Sequence, residues 1–177
     1  MFDDAILKDF DLAQLNALGD DQFSLIGADL SGVDFSVLED EHLKDLDFSD
    51  TKLKGASFKG TTLDGNRFLD NDLSGTIFEN ATIKNVVFEN ATGDELTNFK
   101  GATFTNATFS RSTFDASNFS ETTFNDPLSL ESSVFDDSNF FGSTNLNPSQ
   151  DNNSDWFNIT CPNGDKNQNN LFACPTT

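Results

Sequence analysis

The sequence predicts an all-β solenoid in which the chain winds as a square coil, and two observations lead to this prediction. An apolar Leu, Ile or Phe returns at every fifth position from Phe48 to Phe88 without a miss, a period that belongs to neither an amphipathic helix nor an alternating strand. A small residue usually stands two positions before each apolar residue, and Gly or Asn, which tolerate positive φ, is common two positions after it. Each five-residue unit can therefore form one side of the square, with two residues facing the axis and a sharp corner at its end.

Four units close one turn, so residues about twenty positions apart are expected to stack in columns along the axis. The expected core ladder consists of aromatic rings from opposite sides of the square: Phe48, Phe58, Phe68, Phe78, Phe88, Phe99, Phe109, Phe119 and Phe140. At the sheet spacing of ~4.8 Å the rings fill a narrow core, and each contributes on the order of 2 to 3 kcal/mol. The pattern is irregular at 36–46, where an excursion or a short helical turn is expected, and it slips by one residue near 93–96 and 125–129.

The segment Ala28-Asp29-Leu30-Ser31-Gly32 and the five-residue period that follows it resemble the pentapeptide repeat family. This resemblance extends loosely from Leu30 to Phe140 and implies a right-handed quadrilateral parallel β-helix, of about five to six coils in this chain. It is informative about the fold rather than about function, because the repeat residues build the scaffold and members of the family do unrelated things.

The two ends are expected to cap the β-helix of residues 28–146. Apolar residues at three- and four-residue offsets within 1–27 predict a short helical cap, and 147–177 is polar and loop-like. The only cysteines, Cys161 and Cys174, lie in this last segment, where a disulfide would add roughly 3 kcal/mol in the loop-entropy model. Two free thiols are the alternative. A bridge would indicate the periplasm, the thylakoid lumen or secretion, with the cytoplasm as the alternative location.

Charge is the first indication of a partner. Thirty acids against ten bases give a net charge of −20, which argues against direct nucleic-acid binding and favours basic partners. The first 50 residues hold 14 of the acids and 2 of the bases, so over half of the net charge lies outside the regular repeats. Within the repeats, one side of the coil approaches a possible acidic interaction row: Asp72, Asp94, Glu95, Asp115, Asp136 and Asp137. Solubility alone is the competing explanation for such a row.

Catalytic chemistry finds no support in the sequence. His42 is the single histidine, and no catalytic triad, phosphate-binding glycine loop or paired-cysteine metal motif can be assembled. We therefore expect no enzyme activity, no cofactor, no metal site and no membrane span.

The favoured function is a structural or protein-interaction module: a rigid acidic rod, exported and monomeric, whose unknown partner is basic if the contact is electrostatic. One alternative, which rests on the family resemblance, is a DNA mimic that binds DNA gyrase or another topoisomerase. A second alternative is surface binding of Ca²⁺, although the ligand spacing of a calcium loop is absent.

Overall fold

Short strands stacked in parallel make up the sides of a four-sided coil in the computed structural model, which describes residues 2–7, 12, 25–38, 40–126, 129–146, 153–167 and 174. The strands are β1 (Thr62–Asp64), β2 (Arg67–Leu69), β3 (Thr82–Lys84), β4 (Val87–Glu89), β5 (Thr92–Gly93), β6 (Thr103–Thr105), β7 (Thr108–Ser110), β8 (Thr113–Asp115), β9 (Thr123–Phe124), β10 (Ser129–Glu131), β11 (Val134–Asp136), β12 (Asp155–Phe157), β13 (Ile159–Thr160) and β14 (Lys166–Asn167). All pair in parallel except β13 and β14, which form a terminal antiparallel pair. The predicted β-solenoid is confirmed.

The four sides are named here in chain order. Side A carries the sheet β2-β4-β7-β10, side B carries β5-β8-β11-β12, and side D carries β1-β3-β6-β9. Side C is joined by parallel bridges between single residues at successive levels: Asp34, Ser57, Ile77, Asn98, Asn118, Asn139 and Thr160. The paired residues are 20 positions apart in Thr62↔Thr82 and 21 apart in Thr82↔Thr103, so each slip adds one residue without disturbing the stacking.

Aromatic rings fill the axis in two opposite columns. On side C, the ring centroids of Phe58 and Phe78 lie 5.1 Å apart and those of Phe78 and Phe99 lie 4.7 Å apart, with the rings nearly parallel. The Phe88 ring of side A meets Phe78 edge-to-face at 6.0 Å. All nine rings of the core ladder are at most 1% exposed. Each coil therefore depends on its neighbours, because a ring pair contributes about 0.5 to 1.5 kcal/mol beyond the area that it buries.

Small polar residues close the corners from the inside. The hydroxyl of Thr61 donates to the carbonyl of Phe58 at 2.8 Å, and that of Thr122 donates to Phe119 at 2.8 Å. The corner residues themselves take positive φ, as in Asn80 at 58°. The hydroxyl thus satisfies a buried carbonyl where the chain turns, which explains why Thr and Ser recur at the small inward position.

The column of side B contains a glycine in place of a large side chain. Gly93 pairs with Phe114, and a Cβ on Gly93 would lie only 2.6 Å from Cδ1 of that ring. Above it, Phe114 stacks on Phe135 at 5.7 Å, and Phe135 stacks on Trp156 at 4.7 Å. The Phe114 ring therefore occupies the space that Gly93 leaves, and Trp156 closes this end of the column.

The helical cap expected within 1–27 falls mostly on residues outside the described part of the chain. The described residues 2–7 form a turn and a bridge: Ile6 pairs in parallel with Asp29, and the N–H of Leu7 donates to the carbonyl of Asp29 at 2.9 Å. Phe2 and Leu7 are five residues apart and contact the core, as the repeat period places its large residues. Of residues 8–24 the structure describes only Leu12, which is buried.

The irregular segment at 36–46 leaves the coil as a 3₁₀ helix, Phe35–Val37, followed by the short α-helix α1, Asp40–Leu43. The carboxylate of Asp34 caps the first helix by accepting from the N–H of Ser36 at 3.0 Å. The amide of Asn66 donates to the carbonyl of Leu43, which returns the chain to the coil. No helix in the described residues is long and apolar enough to cross a membrane.

The predicted disulfide is confirmed at the other end, where Cys161 and Cys174 are bonded. Asn139 pairs with Thr160, so Cys161 lies in register with Phe140 and is 1% exposed. The bridge therefore ties Cys174 to the last position of the side C column.

Candidate interaction surface

Side B is the acidic side of the coil. It carries the six predicted acids at successive levels, and Asp115 and Asp136 are direct partners in the parallel register. Lys52 and Lys54 lie on the N-terminal part of this side, but between Asp72 and Asp155 the described residues of side B include no Lys or Arg. At ~4.8 Å per level, the unneutralised stretch is roughly 19 Å long.

On each of the other sides, at least one acid forms an ion pair with a base of an adjacent coil. Side C has Lys59 with Glu79 at 3.2 Å and Lys100 with Glu121 at 3.3 Å. On side A, the guanidinium of Arg111 pairs with Glu89. The described part of side B has one such pair, between Lys52 and Asp29 at 3.7 Å, at its N-terminal end.

Side D shows what a neighbouring base does to an acid. The carboxylate of Asp64 accepts from the amide of Asn85 at 2.7 Å and pairs with Lys84 at 3.4 Å. The hydrogen bond from Asn85, helped by Lys84, lowers the pKa of Asp64 below its ordinary value. In the described residues, the acids of side B beyond Asp72 form no ion pair with a base.

Asp94 does not project outward as the acidic row predicts. Its Oδ1 accepts from the N–H of Gly75 at 2.9 Å and from the N–H of Leu96 at 3.0 Å, and Thr97 donates its hydroxyl at 3.2 Å. At comparable corners the N–H bonds to a main-chain carbonyl of the next coil, as Gly55 does to Ser74. The Asp94 side chain therefore replaces a carbonyl of the ladder at the point where the extra residue is inserted.

The hydrogen bonds of Asp94 predict a specific pH dependence. Burial alone would raise the pKa of Asp94, but the donors Gly75, Leu96 and Thr97 outweigh it and hold the pKa below its ordinary value. A folded-state pKa below the unfolded one adds stability that is present above the unfolded value, 3.8, and is lost as the pH falls through the folded value. We expect Asp94→Asn to lower the free energy of unfolding at pH 7 by about 1 kcal/mol. The variant should also lose less stability than the unsubstituted chain on acidification below pH ~4.

Glu95→Gln is the matched control, because it removes one charge from the same bend at an exposed position. Urea unfolding of the three proteins between pH 2 and pH 7 gives the comparison. Identical pH profiles for Asp94→Asn and Glu95→Gln would show that the Asp94 carboxylate does not hold the insertion.

Three carboxylates converge near the C-terminal end of side B. The ligand oxygens of Asp115, Asp136 and Asp137 all lie within 4.8 Å of one another. Asp137 accepts from the amide of Asn158, whereas Oδ1 of Asp136 is buried and has no hydrogen-bond partner in the described part of the chain. Because three carboxylates lie this close together and two of them are exposed, the cluster is suited to an external cationic group.

Sequence reasoning missed two members of this surface. Asp155 begins β12 and pairs in register with Val134, which in turn pairs with Thr113. Phe157 pairs in register with Asp136 and is 46% exposed. The register of these two residues could not be predicted from the sequence because a polar loop interrupts the five-residue period before Trp156. The usable signal was an acid directly before a large buried residue, since Asp155 precedes Trp156 as Asp72 precedes Leu73. Together Asp72, Glu95, Asp115, Asp136, Asp137 and Asp155 are called the acidic side below.

This geometry defines a class: a parallel four-sided β-solenoid built from five-residue units, with one side left unneutralised. Residues 42–80 and 73–123 match sequence profiles described as pentapeptide repeats, with 8 and 9 copies. The chain belongs to the pentapeptide repeat family. No curated protein matches it in sequence.

Solved structures share the fold at low identity. HetL, a pentapeptide repeat protein involved in heterocyst differentiation regulation from the cyanobacterium Nostoc sp. strain PCC 7120, aligns with 93% of this chain and 67% of its own, with a TM-score of 0.58 and 16% identity. A trypsin-treated form of QnrB1, a plasmid-mediated fluoroquinolone resistance protein, aligns over 77% and 83% with a TM-score of 0.37 and 16% identity. Rfr23 from the cyanobacterium Cyanothece 51142 aligns over 60% and 83% with a TM-score of 0.34 and 12% identity. The alignment with HetL supports the fold and nothing about function. The alignments with QnrB1 and Rfr23, whose TM-scores are below 0.5, support no conclusion about this chain.

Proposed function

We propose that the protein is a non-enzymatic, monomeric interaction module that presents its acidic side to a basic segment of a partner protein. The observation that carries this proposal is the contrast between the sides. Four bases on sides A, C and D pair with acids of an adjacent coil, whereas the charged residues described on side B from Asp72 to Asp155 are all acids. Interspersed charges of both signs are enough for solubility, so a side that carries acids without bases favours a binding role.

The packed core supports a binding role for this side. Stacked rings leave no mobile element beneath the sheet of side B, so its carboxylates keep their spacing before a partner arrives. Binding to a preformed surface costs little ordering entropy. The exposed carboxylates of Asp115 and Asp137 can accept charge-assisted hydrogen bonds from a Lys or Arg side chain that docks.

A DNA mimic would use the same side of the coil but would need a longer acidic surface. The acidic side spans roughly 19 Å, whereas one turn of B-DNA is ~34 Å long. An acidic surface about half a DNA turn long matches a short basic peptide. It is too short to fill the surface on which a topoisomerase normally holds a duplex. Inhibition of DNA gyrase supercoiling by the protein, relieved by neutralising Asp115, Asp136 and Asp137, would favour the mimic instead.

Surface binding of Ca²⁺ is the weaker candidate for the carboxylate cluster. Ca²⁺ takes about 6 to 8 oxygen ligands, and Asp115, Asp136 and Asp137 are side chains on an open sheet and its corner. A guanidinium or ammonium group needs fewer acceptors and fits this arrangement better.

The disulfide supports an oxidising compartment as part of the proposal. Disulfides persist in secreted, periplasmic and comparable environments and are rare in the cytosol. The Cys161–Cys174 bridge closes a terminal segment whose described residues are largely polar. Titration of denatured, unreduced protein isolated from its natural source should find no free thiol, and two free thiols would remove this argument.

Neutralising the carboxylate cluster tests the proposal. The variant Asp115→Asn, Asp136→Asn, Asp137→Asn is expected to bind a fluorescein-labelled octa-arginine peptide roughly tenfold more weakly at low salt, because three close charge pairs are lost. Fluorescence anisotropy measures the affinity, and the loss should shrink as salt is added.

The matched control also removes three acids, but from paired positions on other sides: Glu79→Gln, Glu89→Gln, Glu121→Gln. Both variants change the net charge equally, so a nonspecific attraction would weaken by the same factor in each. Equal weakening, or no measurable binding by the unsubstituted protein, would contradict the proposed function.

A further inference from the structure

The one-residue insertion in side B leaves an exposed leucine beside a groove. Leu96 is 66% exposed, although it belongs to a bend that is otherwise polar. A groove of about 400 Å³ lies next to it, at the corner between sides B and C. Its lining includes Lys54, Gly55, Gly75, Ile77, Asp94 and Leu96.

The floor of this corner groove is bare backbone. Gly55 and Gly75 form the corner at consecutive levels, with φ of 71° and 69°. A Cβ on Gly55 would have no atom within 4 Å, and a Cβ on Gly75 would lie 3.8 Å from Cβ of Leu96. The groove therefore exists because two corners carry no side chain and the next corner carries a leucine.

Leu96 is held in place rather than left loose. Its N–H donates to Oδ1 of Asp94, and the carbonyl of Asp94 accepts from the N–H of Thr97 at 2.9 Å and from the hydroxyl of Ser117 at 3.0 Å. The Thr97 hydroxyl, whose hydrogen is shared with Asp94, also lies 3.0 Å from the carbonyl of Leu73. Because the bend is fixed to the coils below and above it, little conformational entropy is lost when a ligand binds against the apolar side chain.

We propose that the corner groove between Gly55, Gly75 and Leu96 receives one aliphatic side chain carried on the basic segment that docks on the acidic side. This inference rests on the proposed function, since it names an anchor within the same surface. Glu95 is exposed beside Leu96, and Asp115 lies one level further along, so the positive residues of the segment lie in that direction. Lys54 stands on the opposite wall and repels a base there, which fixes the direction of the bound segment.

Two peptides that differ at one position test the anchor. The probes are acetyl-Lys-Lys-Lys-Leu-Lys-Lys-Lys-amide and the same peptide with Ser in place of Leu, titrated at low salt into isotopically labelled protein. We expect the leucine peptide to bind about fivefold more tightly, which corresponds to partial burial of one leucine. Its binding should shift the amide resonances of Gly55, Gly75 and Leu96.

Two variants remove the groove in different ways. Leu96→Ser deletes the apolar wall, and Gly55→Asn fills the floor, because Asn tolerates the positive φ and its side chain enters open space. Both should abolish the preference for leucine and leave the serine peptide unaffected. Ile26→Ser, at another apolar residue that is 40% exposed, should leave the preference intact.

Each outcome decides a separate point. Equal affinity for the two peptides, or a preference that survives both groove variants, overturns the anchor while the acidic side still binds. No binding of either peptide contradicts the proposed function itself. A dimer in sedimentation that Leu96→Ser dissociates would assign the groove to a second copy of the chain and overturn the inference.

Discussion

Replacing Phe99 by Ala is expected to lower the free energy of unfolding by about 3 to 5 kcal/mol. Phe99 stacks on Phe78 and on Phe119, each at 4.7 Å between ring centroids, and meets Phe88 edge-to-face at 5.9 Å. The side chain is fully buried, so its removal leaves a cavity bounded by rings that the rigid coils prevent from closing. Urea unfolding followed by circular dichroism measures the loss.

Phe141→Ala is the control for this substitution. Phe141 adjoins the last ring of the same column but is 52% exposed, so we expect a cost of about 1 kcal/mol or less. If the two variants were equally stable, the stacked rings would not be what holds the coils together.

Breaking the disulfide is expected to open the C-terminal end of the coil. In the loop-entropy model a bridge across 13 positions contributes about 3 kcal/mol. Cys161 lies over Phe140, so the cost should appear at this end, where the only tryptophan, Trp156, is 1% exposed. In Cys161→Ala, Cys174→Ser, the fluorescence of Trp156 should report exposure at a lower urea concentration than in the oxidised protein.

A reductant provides the internal control for the disulfide. Dithiothreitol should convert the unsubstituted protein to the behaviour of the double variant and leave that variant unchanged. An unfolding midpoint of Trp156 that does not respond to dithiothreitol would show that the bridge does not stabilise this end.

The sequence was sufficient to predict the coil because one local rule repeats on all four sides. Every unit needs a large residue, a small residue and a corner, and their order does not depend on distant parts of the chain. Phe78 and Phe99 could therefore be expected in one column even though a slip separates them. At the N-terminus, Phe2 and Leu7 have the five-residue spacing and contact the core, although they stand among residues at helical offsets.

The interaction surface was less predictable because it depends on contacts between coils. The sequence places Asp94 among outward acids, but its partner Gly75 is 19 residues away and is reached only when the insertion bends the chain. Likewise, Lys59, Lys84 and Lys100 pair with acids of an adjacent coil. Predicting these pairs requires knowing how the corners stack, in addition to how the core columns stack. The partner and the cellular location stay predictions.

The bend at Asp94 has a consequence for how such a scaffold changes over evolutionary time. The extra residue is accommodated within one corner, and the pairs beyond it, such as Thr82↔Thr103, resume their stacking. Length variation at a corner is therefore decoupled from the hydrophobic interior. A lineage can acquire new surface features by small insertions at these sites, each tested by selection for binding without first being penalised by misfolding.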